Sequence, residues 1–199
     1  MMRKFLAALA ATTLAGAATA QANLITNGSF EDGSFTDTGF GYMQLDPGDT
    51  DLDGWIIDQR LVWGLDPNDG FTASDGEGFL DLSGYSAQSL GALTSGVALD
   101  IGTTYTLSFD AAYGALTVSN GMTDLLTTST NTGAWTTYTI SFVAVASSLS
   151  FSNAAPGNPL VLLDAIVLDA APVPVPAAGL LFASGLGLFA ARRRRASRA

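Results

Sequence analysis

The residues of this chain that could do chemistry are carboxylates. The sequence has 18 Asp and Glu residues, but no His and no Cys. Without those two residue types, a Ser-His-Asp triad, a cysteine nucleophile, a disulfide and a typical zinc site are all excluded. A Ser-Lys dyad is excluded as well, because the only lysine, Lys4, lies in the first few residues, in the pattern of a cleavable signal peptide. The chemistry that remains is glycoside hydrolysis by an Asp/Glu pair, or calcium binding.

One acidic stretch has the spacing of a calcium loop. Asp49, Asp51 and Asp53 stand before Gly54 in the pattern D-x-D-x-D-G, the first half of an EF-hand loop. The twelfth position from Asp49 is Arg60, where that loop requires a bidentate Glu. Neither flank has a helical pattern, and the residues after Gly54 look like a strand entering the core. Weak calcium binding and a solvated loop both stay open, and the pattern favours the loop.

A second carboxylate, Asp164, lies inside the apolar run Leu160–Leu168. An unpaired carboxylate buried in such a strand is costly. Between the two ends of the chain, Arg60 is the only basic residue that could neutralise it. Asp164 therefore needs a cation such as calcium, or it points into a loop or accepts backbone N–H bonds, and the sequence leaves these alternatives open.

The elements that must position these carboxylates are strands. Alternating apolar and polar residues over 104–111 and 138–144, and again at 149–151, have the period of two that is typical of half-buried strands. The run Leu160–Leu168 is apolar on both faces, apart from Asp164, as expected for a central strand. Gly- and Asn-rich turns separate the runs, and the segment Gly33–Asp53 is expected to be a long loop. We predict an all-β, two-sheet jelly-roll sandwich over residues 21–170.

The N-terminus has the pattern of a secretory signal peptide over residues 1–20. Arg3 and Lys4 precede a short, mostly apolar segment, and Ala18-Thr19-Ala20 is a small-x-small cleavage site. A second possible site leaves the mature chain beginning at Gln21 or Asn23. The apolar segment is short, which argues against the alternative of an N-terminal membrane anchor.

The last stretch, residues 171–199, is an apolar segment between prolines and arginines. Alternate prolines prevent a helix before Pro176, and the uncharged run then continues to Ala191. A helix over 176–191 is about 24 Å long at roughly 1.5 Å per residue, so it spans a hydrocarbon core of about 30 Å only marginally. The arginines after it are expected on the cytoplasmic side. They are Arg192, Arg193, Arg194, Arg195 and Arg198.

A short proline motif stands immediately before this run. It consists of Val173, Pro174, Val175 and Pro176. The motif, the apolar helix and the arginine cluster together resemble the sorting tail of the PEP-CTERM family, in its VPLPA variant, with Val175 where that variant usually has Leu. The resemblance implies a membrane sorting protease of the exosortase or rhombosortase kind, which cuts near the motif and releases or re-anchors the protein. A plain C-terminal anchor is the alternative.

The mature chain carries a second set of matching segments. They are 23–31 (NLITNGSFE), 54–55, 75–84, Gln88, 104–109 and 163–164. In their order and spacing they resemble galactose-binding-like jelly rolls, including carbohydrate-binding modules and choice-of-anchor domains. In the carbohydrate-binding relatives, the Glu that ends the first segment and an Asp on the last strand help to hold a structural calcium. The resemblance therefore implies Glu31 and Asp164 as Ca²⁺ ligands.

Flat aromatic side chains are the candidates for sugar binding, because sugar rings stack on them while acidic and amide groups bond the hydroxyls. Alternation places Trp55 and Trp135 in the core. Trp63 and Tyr85 lie near turns, where we expect them to be exposed. The candidate ligand-binding set is Trp63, Tyr85, Asp81 and Gln88.

Charge bears on the choice between functions. Between the two ends the chain has 18 acidic residues and one basic residue, a formal charge of −17. Such a domain repels phosphate polymers, so nucleic-acid binding is excluded. We expect an exported, non-enzymatic protein of the cell surface or matrix, first anchored in the membrane by its C-terminal helix, that contacts exopolysaccharide. The alternatives are a purely structural protein and a glycan hydrolase using a carboxylate pair such as Glu77 and Asp81.

Overall fold

The computed structural model describes residues 23–67, 70–84, 90–129, 133–154 and 160–171. The predicted signal peptide (1–20) and the sorting tail beyond residue 171 lie outside these ranges. The described residues form strands, turns and bends, and none of them is helical. Among them, accordingly, there is no helix of the length and apolarity needed to cross a membrane.

Within the described ranges, six strands form the larger antiparallel sheet. In spatial order they are β1 (Tyr42–Leu45), β3 (Leu61–Leu65), β4 (Gly78–Asp81), β11 (Val161–Ala170), β6 (Thr104–Tyr113) and β9 (Thr136–Val143). The run around Asp164 is thus a central strand, as its apolar pattern predicted. At ten residues each, β11 and β6 are the longest strands among the described residues.

Five further strands of the described part of the chain form the second antiparallel sheet. In spatial order they are β2 (Trp55–Gln59), β5 (Ala92–Ser95), β10 (Leu149–Asn153), β7 (Leu116–Asn120) and β8 (Thr123–Thr127). The two sheets face each other across a hydrophobic core, so the prediction of an all-β, two-sheet sandwich is confirmed.

The core follows from the alternation that the sequence shows. In β6, Tyr105, Leu107 and Phe109 are buried, while the intervening polar side chains are partly exposed on the other face. Phe151 of β10 packs edge-on against Phe109 from the opposite sheet, with ring centroids 5.8 Å apart. Trp55 lies in the same core, as predicted.

The segment Gly33–Asp53 is more ordered than the expected long loop. It contains β1, which pairs with β3, and Gly33 forms an isolated bridge with Leu52. Leu45 and Leu52 are buried in the core. These two apolar side chains explain the difference, because they anchor a segment whose overall composition is polar and glycine-rich.

The two ends of the sandwich are distinct. At the exit end, the described chain finishes where the Ala171 N–H donates to the Thr104 carbonyl oxygen (2.7 Å). At the far end, Tyr113 of β6 pairs with Val161 of β11. Nine residue steps along β6 separate the two ends, about 30 Å at roughly 3.3 Å per residue.

Candidate functional site

A small apolar cluster lies on the outer face of the six-stranded sheet, the face turned away from the main core. Phe79, Ala112 and Leu162 are buried there, one each on β4, β6 and β11. Alternation explains their position, since Leu80, Ala111 and Leu163 face the main core instead. An apolar patch on an outer face must be covered by something, and here the covering residues come from loops.

These loops leave an open cleft of about 300 Å³ at the far end. Phe71, Tyr113 and Trp135 line it together with Leu162. The rings of Phe71 and Tyr113 meet edge to face with centroids 5.6 Å apart. The Trp135 indole N–H donates to the Thr72 carbonyl oxygen at 2.9 Å. The three aromatic side chains therefore have fixed orientations around the opening.

Gly133 is required on one wall of this cleft. Its φ is +95°, a backbone conformation that L side chains rarely adopt. A Cβ atom on Gly133 would lie 2.6 Å from the Tyr113 ring. A larger residue at this position would therefore collide with the tyrosine ring unless the ring or the loop shifted.

The loop that carries Phe71 and Thr72 is held by Asp164. The Asp164 Oδ2 atom accepts hydrogen bonds from the backbone N–H groups of Ser74 (2.7 Å) and Asp75 (2.9 Å), and Oδ1 accepts one from Ala165 (2.6 Å). The Ser74 hydroxyl donates to the Asp110 carboxylate, directly across from Asp164 in the strand register. In the structure, Asp164 thus accepts backbone N–H bonds, which is one of the interpretations that the sequence left open.

The environment of Asp164 raises its pKa to about 7. Its side chain is fully buried (0% exposed), and this desolvation is the main cause. The backbone hydrogen bonds from Asp75, Ala165 and Ser74 lower the pKa, and the nearby charge of Asp75 raises it. Arg60, which could have neutralised Asp164, instead pairs with Asp46 at the surface (2.5 Å).

Glu31 holds the other end of the same loop. Its Oε1 atom accepts hydrogen bonds from the backbone N–H groups of Glu77 (2.7 Å) and Gly78 (2.6 Å). Gly76 has a φ of +70°, and a Cβ atom there would overlap the Glu31 carboxylate. Asp164 and Glu31 therefore fasten the segment that leads into β4 at two points.

The predicted calcium ligands are thus brought to one loop, but in this arrangement their carboxylates face N–H donors. Calcium takes six to eight oxygen ligands. Within the described ranges, no group of three or more acidic side chains is placed to hold a metal ion. Backbone carbonyl oxygens can also be calcium ligands, so Ca²⁺ at Glu31 and Asp164 stays a prediction of the resemblance.

The acidic stretch 49–54 is hydrogen-bonded both to a residue just before it and to a distant segment of the chain. The Asp46 N–H donates to the Asp49 carboxylate (2.8 Å), and the Asn27 amide donates to the Asp53 carbonyl oxygen (2.9 Å). Leu52 is buried, and the chain enters β2 at Trp55. These contacts are those of a structured turn that leads into a strand.

The predicted ligand-binding residues do not form one site in the described structure. Trp63 is 1% exposed, with its indole N–H donating to the Phe30 carbonyl oxygen (2.9 Å), so the expectation of an exposed stacking platform was wrong. Its position on β3 faces the main core, and proximity to a turn did not reveal this. Asp81 is partly buried, which raises its pKa, and its carboxylate accepts bonds from Ser83. Tyr85 and Gln88 lie outside the described residues.

The aromatic cleft was not predicted. Trp135 was expected in the core, but it is only half-buried and lines the cleft, because Thr136 begins the edge strand β9 and Trp135 precedes it. Phe71 and Tyr113 were not singled out. Each of the three aromatic residues has a glycine within two positions, but so do the buried Trp55 and Trp63, so this spacing does not distinguish cleft residues from core residues.

The comparisons with known proteins support the fold. The sequence matches no protein-family model and no curated protein. Its structure resembles an arabinose-bound α-L-arabinofuranosidase, MgGH51, with a TM-score of 0.52 and 18% identity, covering 77% of this chain and 27% of that one. This chain therefore spans only about a quarter of that enzyme.

Two carbohydrate-binding modules are also similar. One is TmCBM61 in complex with β-1,4-galactotriose, with a TM-score of 0.46 and 20% identity over 75% of this chain and 99% of that one. The other is a CBM4 module, with a TM-score of 0.42 and 17% identity over 74% and 99%. At these identities the likenesses concern the fold alone.

Proposed function

We propose that this chain is an exported, surface-sorted, non-enzymatic protein that binds polysaccharide in the aromatic cleft. The single observation that carries the binding proposal is the grouping of Phe71, Tyr113 and Trp135 around an opening at the far end of the sandwich. Sugar rings bind to such aromatic faces, while hydroxyl groups such as that of Thr72 can hydrogen-bond the sugar.

The size and charge of the cleft narrow the ligand class. A volume of about 300 Å³ is at the lower end of ligand pockets, which are about 300–1,000 Å³, so the cleft suits one or two sugar units. The exported part has a formal charge of −17. Because this charge repels polyanions, the proposed ligand is a neutral polysaccharide.

The engagement of the carboxylates supports a binding role over a hydrolytic one. Asp164 and Glu31 accept backbone N–H bonds that hold the loop, and Asp81 accepts bonds from Ser83. A glycosidase needs two carboxyl groups facing one sugar, roughly 5–10 Å apart. No acidic residue lines the cleft among the described residues.

The test of the binding proposal is affinity electrophoresis in gels that contain neutral polysaccharides. We expect the chain to be retarded, and Trp135→Ala to lose most of the retardation. Phe40→Ala is the matched control, because Phe40 is also an exposed aromatic residue but does not line the cleft. Release of reducing sugar by the unmodified chain would contradict the non-enzymatic role, and equal retardation of both variants would contradict the cleft as the site.

The sorting proposal is supported by the motif at residues 173–176 and by the arginine cluster. Its test is the intact mass and location of the protein from its host, compared with a Pro174→Ala, Pro176→Ala variant. We expect the unmodified protein to end between Val173 and Ala178, and the variant to keep its arginines in the membrane. If both proteins retain the arginine cluster, the tail is a plain anchor.

A further inference from the structure

The exit end of the sandwich exposes an unusual set of apolar side chains. They come from two loops, one turn and the end of β9, and we call them the apolar tip: Ile101, Met122, Val143 and Val145. Ile101 is 69% exposed, Met122 103% and Val145 57%. Turn positions normally carry Gly, Asn, Asp or Ser, so several exposed apolar residues at the end of a domain indicate a contact surface.

Hydrogen bonds between its loops give the apolar tip a defined structure. Gly102 donates its N–H to the Ala144 carbonyl oxygen (2.8 Å), and the Ala144 N–H donates to Thr103 (2.9 Å). These two bonds join the loop of Ile101 to the loop of Val145. A Cβ atom on Gly121, in the turn that carries Met122, would lie 2.6 Å from the Ala146 Cβ. The two loops and the turn therefore present one surface.

The chain leaves the domain at this same surface. Ala171 bonds to Thr104, three residues from Ile101. Four residues then separate Ala171 from the uncharged run that begins at Pro176. Fully extended, this connection spans at most about 18 Å. If the run is embedded in a bilayer, the connection holds the apolar tip close to the bilayer surface.

We infer that the apolar tip is a membrane-contact surface that inserts into a zwitterionic bilayer while the tail anchors the chain. This inference rests on the proposed anchoring of the tail. The lipid class follows from charge, because Asp100 and Asp124 are exposed beside the tip and the domain is strongly acidic, so anionic headgroups repel it. A few apolar side chains bind a bilayer weakly on their own, so the contact requires the tail.

The consequence concerns the orientation of the domain. With the exit end against the bilayer, the aromatic cleft lies at the opposite end of β6, about 30 Å away at roughly 3.3 Å per residue. The anchored precursor would thus present the cleft away from the membrane. Once the tail is removed, the apolar tip would be released from the bilayer.

The test uses the full chain, reconstituted in phosphatidylcholine vesicles. The sequence has no cysteine, so Val145→Cys and Met122→Cys each give a single site for an environment-sensitive fluorophore. Leu90→Cys is the matched control, because Leu90 is also exposed but lies beside Gly91, which bonds to Leu82 at the far end. A thermal melt of each labelled protein checks that it is folded.

We expect the label at 145 and at 122 to shift to shorter wavelength on reconstitution and to be quenched by lipid-attached quenchers, while the label at 90 does neither. Vesicle flotation separates the two proposals. If the chain floats with the vesicles but the label at 145 behaves like the label at 90, membrane contact by the apolar tip is refuted while anchoring by the tail is supported. A wavelength shift without lipid quenching means that protein covers the tip, which also overturns the inference. A chain that does not float overturns both proposals.

Discussion

Asn120 makes the connection between the sheet and the exit-end loop, and its removal provides a quantitative test of the structure. The residue ends β7 and is fully buried (0% exposed). Its side-chain N–H groups donate to the carbonyl oxygens of Ala146 (2.8 Å) and Ser148 (2.7 Å). Its side-chain oxygen accepts from the N–H groups of Val145 (2.6 Å) and Ala146 (3.1 Å). The amide thus uses its full bonding capacity on one loop.

The expected cost of Asn120→Ala follows from these four bonds. A buried hydrogen bond contributes about 0.5–1.5 kcal/mol, which gives about 2–6 kcal/mol for the set. Water can reach part of the freed backbone, because Val145 and Ser147 are exposed. We therefore expect the free energy of unfolding to fall by about 3 kcal/mol, measured by urea denaturation with tryptophan fluorescence.

Asn120→Asp tests the two hydrogen bonds that the Asn120 side chain donates. It keeps the shape of the side chain but directs a carboxylate oxygen at two carbonyl oxygens. Protonation would restore one donor, so we expect this variant to gain stability relative to the unmodified protein as the pH falls from 8 to 5. A loss below about 1 kcal/mol for Asn120→Ala, or no pH effect on the difference for Asn120→Asp, would refute this account of the loop.

The remaining predictions concern Asp164, calcium and Gly28. Burial raises the pKa of Asp164 to about 7, so this carboxyl binds its proton more tightly in the folded protein than in the unfolded chain. The stability that the bound proton contributes is present at low pH and is lost as the pH rises from about 4 to 7. Between pH 5 and pH 8 in EDTA, the free energy of unfolding should therefore fall by about 2.5 kcal/mol less for Asp164→Asn than for the unmodified protein. An equal fall in both proteins would contradict the effect assigned to burial. If Glu31 and Asp164 bind Ca²⁺, adding it after EDTA raises the melting temperature, and Glu31→Gln removes that response; an unchanged melting temperature would exclude a structural calcium there. In Gly28→Ala the new Cβ overlaps the Ile166 carbonyl oxygen, so we expect the free energy of unfolding to fall by about 3 kcal/mol. The control Gly48→Ala should lose about 1–2 kcal/mol, because there only the φ of +90° is unfavourable. Similar losses in the two variants would mean that β11 shifts to accommodate the methyl group.

Much of the fold could be predicted from local patterns. The alternation in β6, β9 and β10 and the apolar run of β11 have the period of a strand, and this period depends only on neighbouring residues. The strands β1, β3, β4, β5, β7 and β8 were not assigned from their sequences, because four or five residues carry too little periodicity. Pairing with neighbouring strands stabilises them instead, as it does for β1 beside β3 and β4 beside β11.

The chemistry excluded by composition was also accessible from the sequence, since a chain without His or Cys cannot build the sites that need them. The partners of Asp164 were not accessible in the same way. They are backbone N–H groups of Ser74 and Asp75, about ninety positions away in the chain, and a backbone donor leaves no mark on residue type.

The functional surfaces depend on the tertiary structure for the same reason. Trp63 and Trp135 both lie near turns, yet one is buried in the core and the other lines the cleft, because strand register decides which face each occupies. The cleft joins Phe71, Tyr113 and Trp135, and the apolar tip joins Ile101, Met122 and Val145. Sequence alone thus indicated the longer strands, the excluded chemistry and the apolar ends of the chain. The meeting of distant loops required long-range antiparallel pairing, which local periodicity does not specify.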